Sequence, residues 1–205
     1  MKMNKKFIHI ATGVFTVTGV LVVLLYLVLG RGFHLNWTIS RYMGTDVWSA
    51  ILFGITNLIV IFCVLKYLLR VRKLYKLSSF WMTLVFGMIA MYVGLTCCPV
   101  GLFDAKWGEF GIVSTIHQIC AYSMFVTMAV IVLDTLIEVR RGKGFVIFGI
   151  SLILYMIGVI YCYKQGTNLF LNNVLIFESG YILANLIFYS LIPKKSDIIE
   201  EDKGR

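Results

Sequence analysis

GIVSTIHQICAYSMFVTMAVIVLDTL, Gly111–Leu136, carries only His117 and Asp134 as charged or chargeable polar groups in an otherwise apolar run. About 20 consecutive apolar residues in a helix cross the roughly 30 Å hydrocarbon core of a bilayer, so this stretch reads as a membrane-spanning helix. Five further runs have the same character: 7–29, 47–69, 80–96, 145–163 and 169–192. The third is the shortest, and Pro99 just after it marks its end, as Pro193 does for the sixth. The expected fold class is therefore all-α, a polytopic membrane protein of six transmembrane helices. It forms one domain over residues 1–192, followed by a short charged tail over 193–205.

Composition agrees with that reading. The chain is 60% hydrophobic and 14% charged over 205 residues. Soluble domains lie near 45–50% apolar and about 25% charged. A net charge of +9 raises the question of nucleic acid. The Lys and Arg residues fall between the apolar runs, however, and form no basic stripe on a soluble segment. They follow the positive-inside pattern. One side collects Lys2, Lys5, Lys6, Arg70, Arg72, Lys73, Lys76, Arg140, Arg141, Lys143, Lys194, Lys195, Lys203 and Arg205, against Arg31, Arg41, Lys106 and Lys164 on the other. Both termini are thus expected in the cytoplasm of a multi-pass cell-membrane protein, with the bilayer as partner and no nucleic acid. The first run is longer than the ~7–15 residue core of a signal peptide and lacks a small-residue cleavage site, which predicts a retained helix. The two halves show no inverted repeat of polar positions.

Helical spacing sorts the polar residues onto faces. Thr83, Gly87, Ala90, Gly94 and Cys97 form one seam, Ser151, Tyr155, Gly158 and Cys162 another, and Gly180 with Ala184 a third; small residues let helices approach closely in lipid. The fourth helix carries a continuous stripe of His117, Cys120, Met124, Thr127, Ile131, Asp134 and Glu138. The sixth carries Glu178, Tyr181, Asn185 and Tyr189. Ionisable groups cost about 2.5–3.5 kcal/mol in a membrane centre on insertion scales, so such stripes are expected to face each other or a wet cavity. His117 and Glu178 fall roughly 9 and 13 Å from the outer surface at ~1.5 Å per residue, which allows contact between them. Asp134 and Glu138, close to Arg140 and Arg141, predict an ion-pair cluster at the cytoplasmic interface. Trp37, Trp48, Trp81 and Trp107 lie near span ends, where indole rings settle at headgroup level.

The run Cys98-Pro99-Val100-Gly101-Leu102-Phe103-Asp104, then Ser114-Thr115-Ile116-His117-Gln118, then Phe177-Glu178, has a recognisable layout. It resembles a widespread prokaryotic family of six-helix membrane proteins catalogued only as a domain of unknown function. It is more distantly similar to the DRAM-type and Sfk-type proteins of eukaryotes. The resemblance implies the six-helix fold and a polar signature of Asp104, His117 and Glu178, rather than an activity. Ser179 stands where the family has a basic residue after the Glu, so a Glu–Arg ion pair is not carried over.

These residues favour a protein that binds a lipid, a small ligand or another membrane protein through a polar outer-side pocket. The candidate lining is Asp104, His117, Glu178, Tyr181 and Asn185. That reading needs neither a cofactor nor enzymatic activity. One alternative is a membrane-embedded metal-dependent hydrolase with His34, Asp104, His117 and Glu178 as zinc ligands, since a catalytic zinc needs three protein ligands and an open position. Another is small-substrate or proton-coupled transport, with His117 titrating near neutral pH. Cys97, Cys98, Cys120 and Cys162 fall near the outer face, where a disulfide among them can persist. There is no C-x-x-C motif, no phosphate-binding G-x-x-x-x-G-K-[ST] loop and no G-x-S-x-G elbow.

Overall fold

The computed structural model describes residues 5–39, 41–42, 47–97, 112–139 and 142–193. Within them the regular structure is entirely helical. Six helices are long and apolar enough to cross a membrane. They are α1 (Lys6–Val28), α2 (Val47–Tyr75), α3 (Ser79–Cys97), α4 (Ile112–Val139), α5 (Lys143–Lys164) and α6 (Val174–Leu191). Each packs on its sequence neighbour, and α6 returns to α1, so the six close a ring in chain order; α4 also touches α6 across it. Leu, Ile, Val and Phe side chains cover the outside of this ring, as on Val17, Leu21 and Leu24 of α1 or Ile147, Leu154 and Ile157 of α5. A helix apolar all round is stable only where its outer face meets lipid.

The ring closes at one end through backbone carbonyls. The last four carbonyls of a helix have no partner within it, and Pro193 prevents α6 from continuing. The Lys5 ammonium donates to the Ser190 carbonyl at 2.5 Å, and the Tyr67 hydroxyl to the Tyr189 carbonyl at 2.6 Å. The Tyr75 hydroxyl donates to the Pro193 carbonyl. A cation there also meets the negative end of the helix dipole. This end, holding the start of α1 and the finish of α6, is called the basic end below.

On the same side Glu138, expected in an ion-pair cluster, reaches the start of α3. Its carboxylate accepts the Ser78 N–H at 3.1 Å, while the Ser78 hydroxyl accepts the Trp81 N–H at 3.1 Å. Together they satisfy amides at the start of α3, the usual work of a capping residue. Asp134 is half-buried with Oδ2 unpartnered. Arg140 and Arg141 lie outside the described residues. Trp81 also departs from expectation. It is fully buried and donates its indole N–H to Thr135 Oγ1 at 2.9 Å, so it is a core residue and not an interface anchor. Trp48, 71% exposed, retains a surface position, and Trp107 lies outside the described residues.

The packing seams are partly relocated. Gly94 of α3 does meet α4, its missing Cβ site lying 3.0 Å from Cys120 Sγ, and Gly180 faces the Tyr155 hydroxyl. Gly158, however, touches nothing within 4 Å. The close approach on α5 is at Gly149, where a Cβ would fall 2.8 Å from both Leu136 methyls and 2.9 Å from Phe188. Phe145 stacks on Phe188 at 4.8 Å one turn away. Helices α4, α5 and α6 are thus zipped together toward the basic end and not at Gly158. Overpacking such a site costs about 1–3 kcal/mol, whereas Ala for Gly in an uncrowded helix gains up to ~1 kcal/mol. Gly149→Ala is therefore expected to lower the unfolding midpoint in detergent and Gly158→Ala to leave it unchanged or raised. Equal responses would contradict this packing.

Candidate functional site

The site is built by the far end of α6 and the connection from α1 to α2. The span expected over 169–192 is interrupted: a single turn, Asn168–Leu171, precedes α6, which starts at Val174. Asn172 and Asn173 separate them, and Asn side chains compete with helical backbone bonding. The Asn173 amide donates to the Leu169 carbonyl at 2.9 Å. As a result Glu178 lies only four residues, about 6 Å, beyond the helix start rather than deep within a longer span.

The α1–α2 connection lies over this helix start. The Leu175 N–H donates to the Leu35 carbonyl at 3.0 Å, and the Ile39 N–H donates to Glu178 Oε2 at 2.8 Å. Aromatic packing holds the connection in shape. Tyr42 stands 4.8 Å from Tyr26 and 5.2 Å from Trp37, and the Arg41 guanidinium lies 4.3 Å over the Trp37 ring. The Tyr42 hydroxyl accepts the His34 N–H at 2.7 Å and donates to the His34 carbonyl at 2.8 Å. Burial pushes the Tyr42 phenol above its ordinary value, although the backbone contact with His34 opposes it. The phenol therefore stays protonated, as its double role requires.

Two spaces meet at Glu178. One is a small pocket of about 60 Å³ whose polar lining is Asn57, Tyr92, His117 and Glu178. Asn57 accepts from the Tyr92 hydroxyl at 2.6 Å and donates to Thr96 at 3.0 Å. His117 is 6% exposed. The two stripes thus converge on one cavity, but the hydrogen bond of the Glu178 carboxylate goes to the Ile39 amide, not to the imidazole. Such a volume admits a few waters and no larger ligand.

The other space is a groove of about 610 Å³ between α4, α5 and α6. Phe125, Met156, Phe177 and Tyr181 supply apolar wall, with Thr38, Lys164 and Glu178 among its polar lining. It lies on the half of these helices away from Gly149. Its volume is within the ~300–1,000 Å³ usual for ligand pockets. The Tyr181 ring is stacked on Tyr155 at 6.0 Å and tilted against Phe125 at 5.6 Å, which fixes the groove's floor.

The remaining sequence candidates separate. Tyr181 lines the groove through its ring, and its hydroxyl is buried on the side of Asn185. Asn185 is fully buried between helices, with Nδ2 donating to the Tyr181 carbonyl and Oδ1 unpartnered. His34 stacks on Trp37 at 4.5 Å and lines neither space. Asp104 and Cys98 lie outside the described residues. Among the described residues no group of three or more His, Cys, Asp or Glu is gathered as for a metal. Cys63, Cys97, Cys120 and Cys162 are free thiols. Sequence reasoning missed Lys164 and the Ile39 amide. The first reads as one more loop cation, and the second is backbone. No family model, curated protein or solved structure matches the chain.

Losing the acceptor of a buried N–H costs about 1–3 kcal/mol. Glu178→Ala should lower thermal stability by that order and quicken proteolysis within residues 30–42. Glu178→Gln, which keeps an acceptor oxygen, should do neither to the same extent. Equal effects of the two changes would remove the Ile39 bond as their cause.

Proposed function

We propose that this protein binds an amphiphile, a lipid or a lipid-like small molecule, in the groove between α4, α5 and α6. The carrying observation is Glu178, an acidic side chain lining a large apolar groove, with Oε2 engaged by the Ile39 N–H and Oε1 without a partner among the described residues. Apolar walls with a few fixed polar groups suit a ligand that has a hydrocarbon part and a polar part. Ionisable groups within spans usually mark ligand or ion sites. The groove lies at the end opposite the basic end. The excess of Lys and Arg supports a cytoplasmic location for the basic end and both termini, and so an outer-leaflet position for the groove in a cell membrane.

The reading is tested by what the protein retains. Protein purified in mild detergent and exchanged extensively should keep a stoichiometric amphiphile, detected by mass spectrometry of the organic extract. Val159→Trp, which fills the groove wall, should lose it several-fold while remaining folded. Retention that is unaltered by Val159→Trp, or no specific amphiphile in the wild type, would contradict the proposal.

A further inference from the structure

The groove is not electrically plain. Lys164, the last residue of α5, and Glu178, in the second turn of α6, both line it. They form no ion pair with each other, and among the described residues the Glu178 carboxylate has the Ile39 amide alone as partner. Lys164 is exposed at the helix end, the position from which a lysine reaches the membrane interface. A cation and an acidic group that line one groove without pairing suit a ligand with an acceptor for the ammonium and a donor for the carboxyl.

Simpler ligands fit less well. A purely anionic head group satisfies Lys164 but brings no donor to the Glu178 carboxyl. A purely cationic one satisfies Glu178 and is repelled by Lys164. A zwitterion pairs with both. The cation must also donate hydrogen bonds, because Oε1 is an acceptor in a low-dielectric setting. A primary ammonium has three N–H donors, and a quaternary ammonium has none. On the anionic side a phosphate offers several acceptor oxygens to the lysine ammonium.

Resting on the amphiphile reading above, we propose that the groove selects a phospholipid-like amphiphile whose head group joins a phosphate to a primary ammonium. The head group lies across the groove mouth, phosphate on Lys164 and ammonium on Glu178 Oε1. The hydrocarbon chain runs along Phe125, Met156, Phe177 and Tyr181.

The test compares lysophosphatidylethanolamine, lysophosphatidylcholine and lysophosphatidylglycerol of one chain length, with chain-free phosphoethanolamine as a fourth probe, titrated onto the purified full-length protein. A charge-assisted hydrogen bond corresponds to roughly tenfold or more in affinity. The ethanolamine lipid should therefore bind about tenfold more tightly than the choline and glycerol lipids. Glu178→Gln, which preserves the Ile39 acceptor, should abolish that preference. Lys164→Met, at an exposed helix end, should weaken the ethanolamine lipid without unfolding the protein. Equal affinity for all three lipids, or a preference that survives Glu178→Gln, overturns the zwitterion assignment while leaving amphiphile binding intact. Phosphoethanolamine binding as tightly as the lipid overturns the role of the groove. Binding of none of the four overturns both this inference and the amphiphile reading.

Discussion

The hydrogen bond from the Ile39 N–H to the Glu178 carboxylate, 2.8 Å long, is the contact on which the far end of the bundle depends. A helix start leaves backbone N–H groups without partners, and a loop crossing it brings polar groups of its own. Wherever packing shuts water out, neither set has water to turn to. The Ile39–Glu178 and Leu175–Leu35 bonds meet part of this need by joining the connection to the helix. They also fix where the carboxylate sits, between a cavity too small for more than water and a groove large enough for a ligand.

The opposite end is closed by different means to the same purpose. There Lys5, Tyr67 and Tyr75 satisfy carbonyls at the end of α6. One helix is thus fastened at both ends by α1, by α2 or by the connection between them. On its other side α6 meets α4 and α5 closely at Gly149, and again through the rings of Tyr155, Phe125 and Tyr181. The groove lies on the half of α4, α5 and α6 away from Gly149, and its lining includes Lys164 at the end of α5 and Glu178 near the start of α6.

Much of this was legible in the chain and some was not. The six apolar runs gave the helices because length and hydropathy are local properties. The spacing of His117 with Met124, and of Glu178 with Tyr181, Asn185 and Tyr189, identified inward faces because helical period is local too. The break at Asn172–Asn173 was lost inside a run that stays apolar on average, which placed Glu178 farther from the start of its helix. Trp81 sits close enough to a span end to suggest an anchor, and only its partner Thr135 on α4 shows otherwise. Gly149 and Gly158 are indistinguishable by sequence, since neighbours decide which is crowded. Glu138 shows the same limit: its sequence neighbours do not reveal that it reaches the first amides of a different helix. Periodicity identifies a face and says nothing of what that face meets.

The most direct measurement is backbone amide hydrogen exchange at Ile39 in the purified protein, in wild type and in Glu178→Ala. If the carboxylate holds the connection, the Ile39 amide is strongly protected in wild type and exchanges far faster in the variant, while amides in the middle of α1 and α2 are unchanged. An Ile39 amide that exchanges freely in wild type, or one whose protection does not depend on Glu178, would contradict the arrangement.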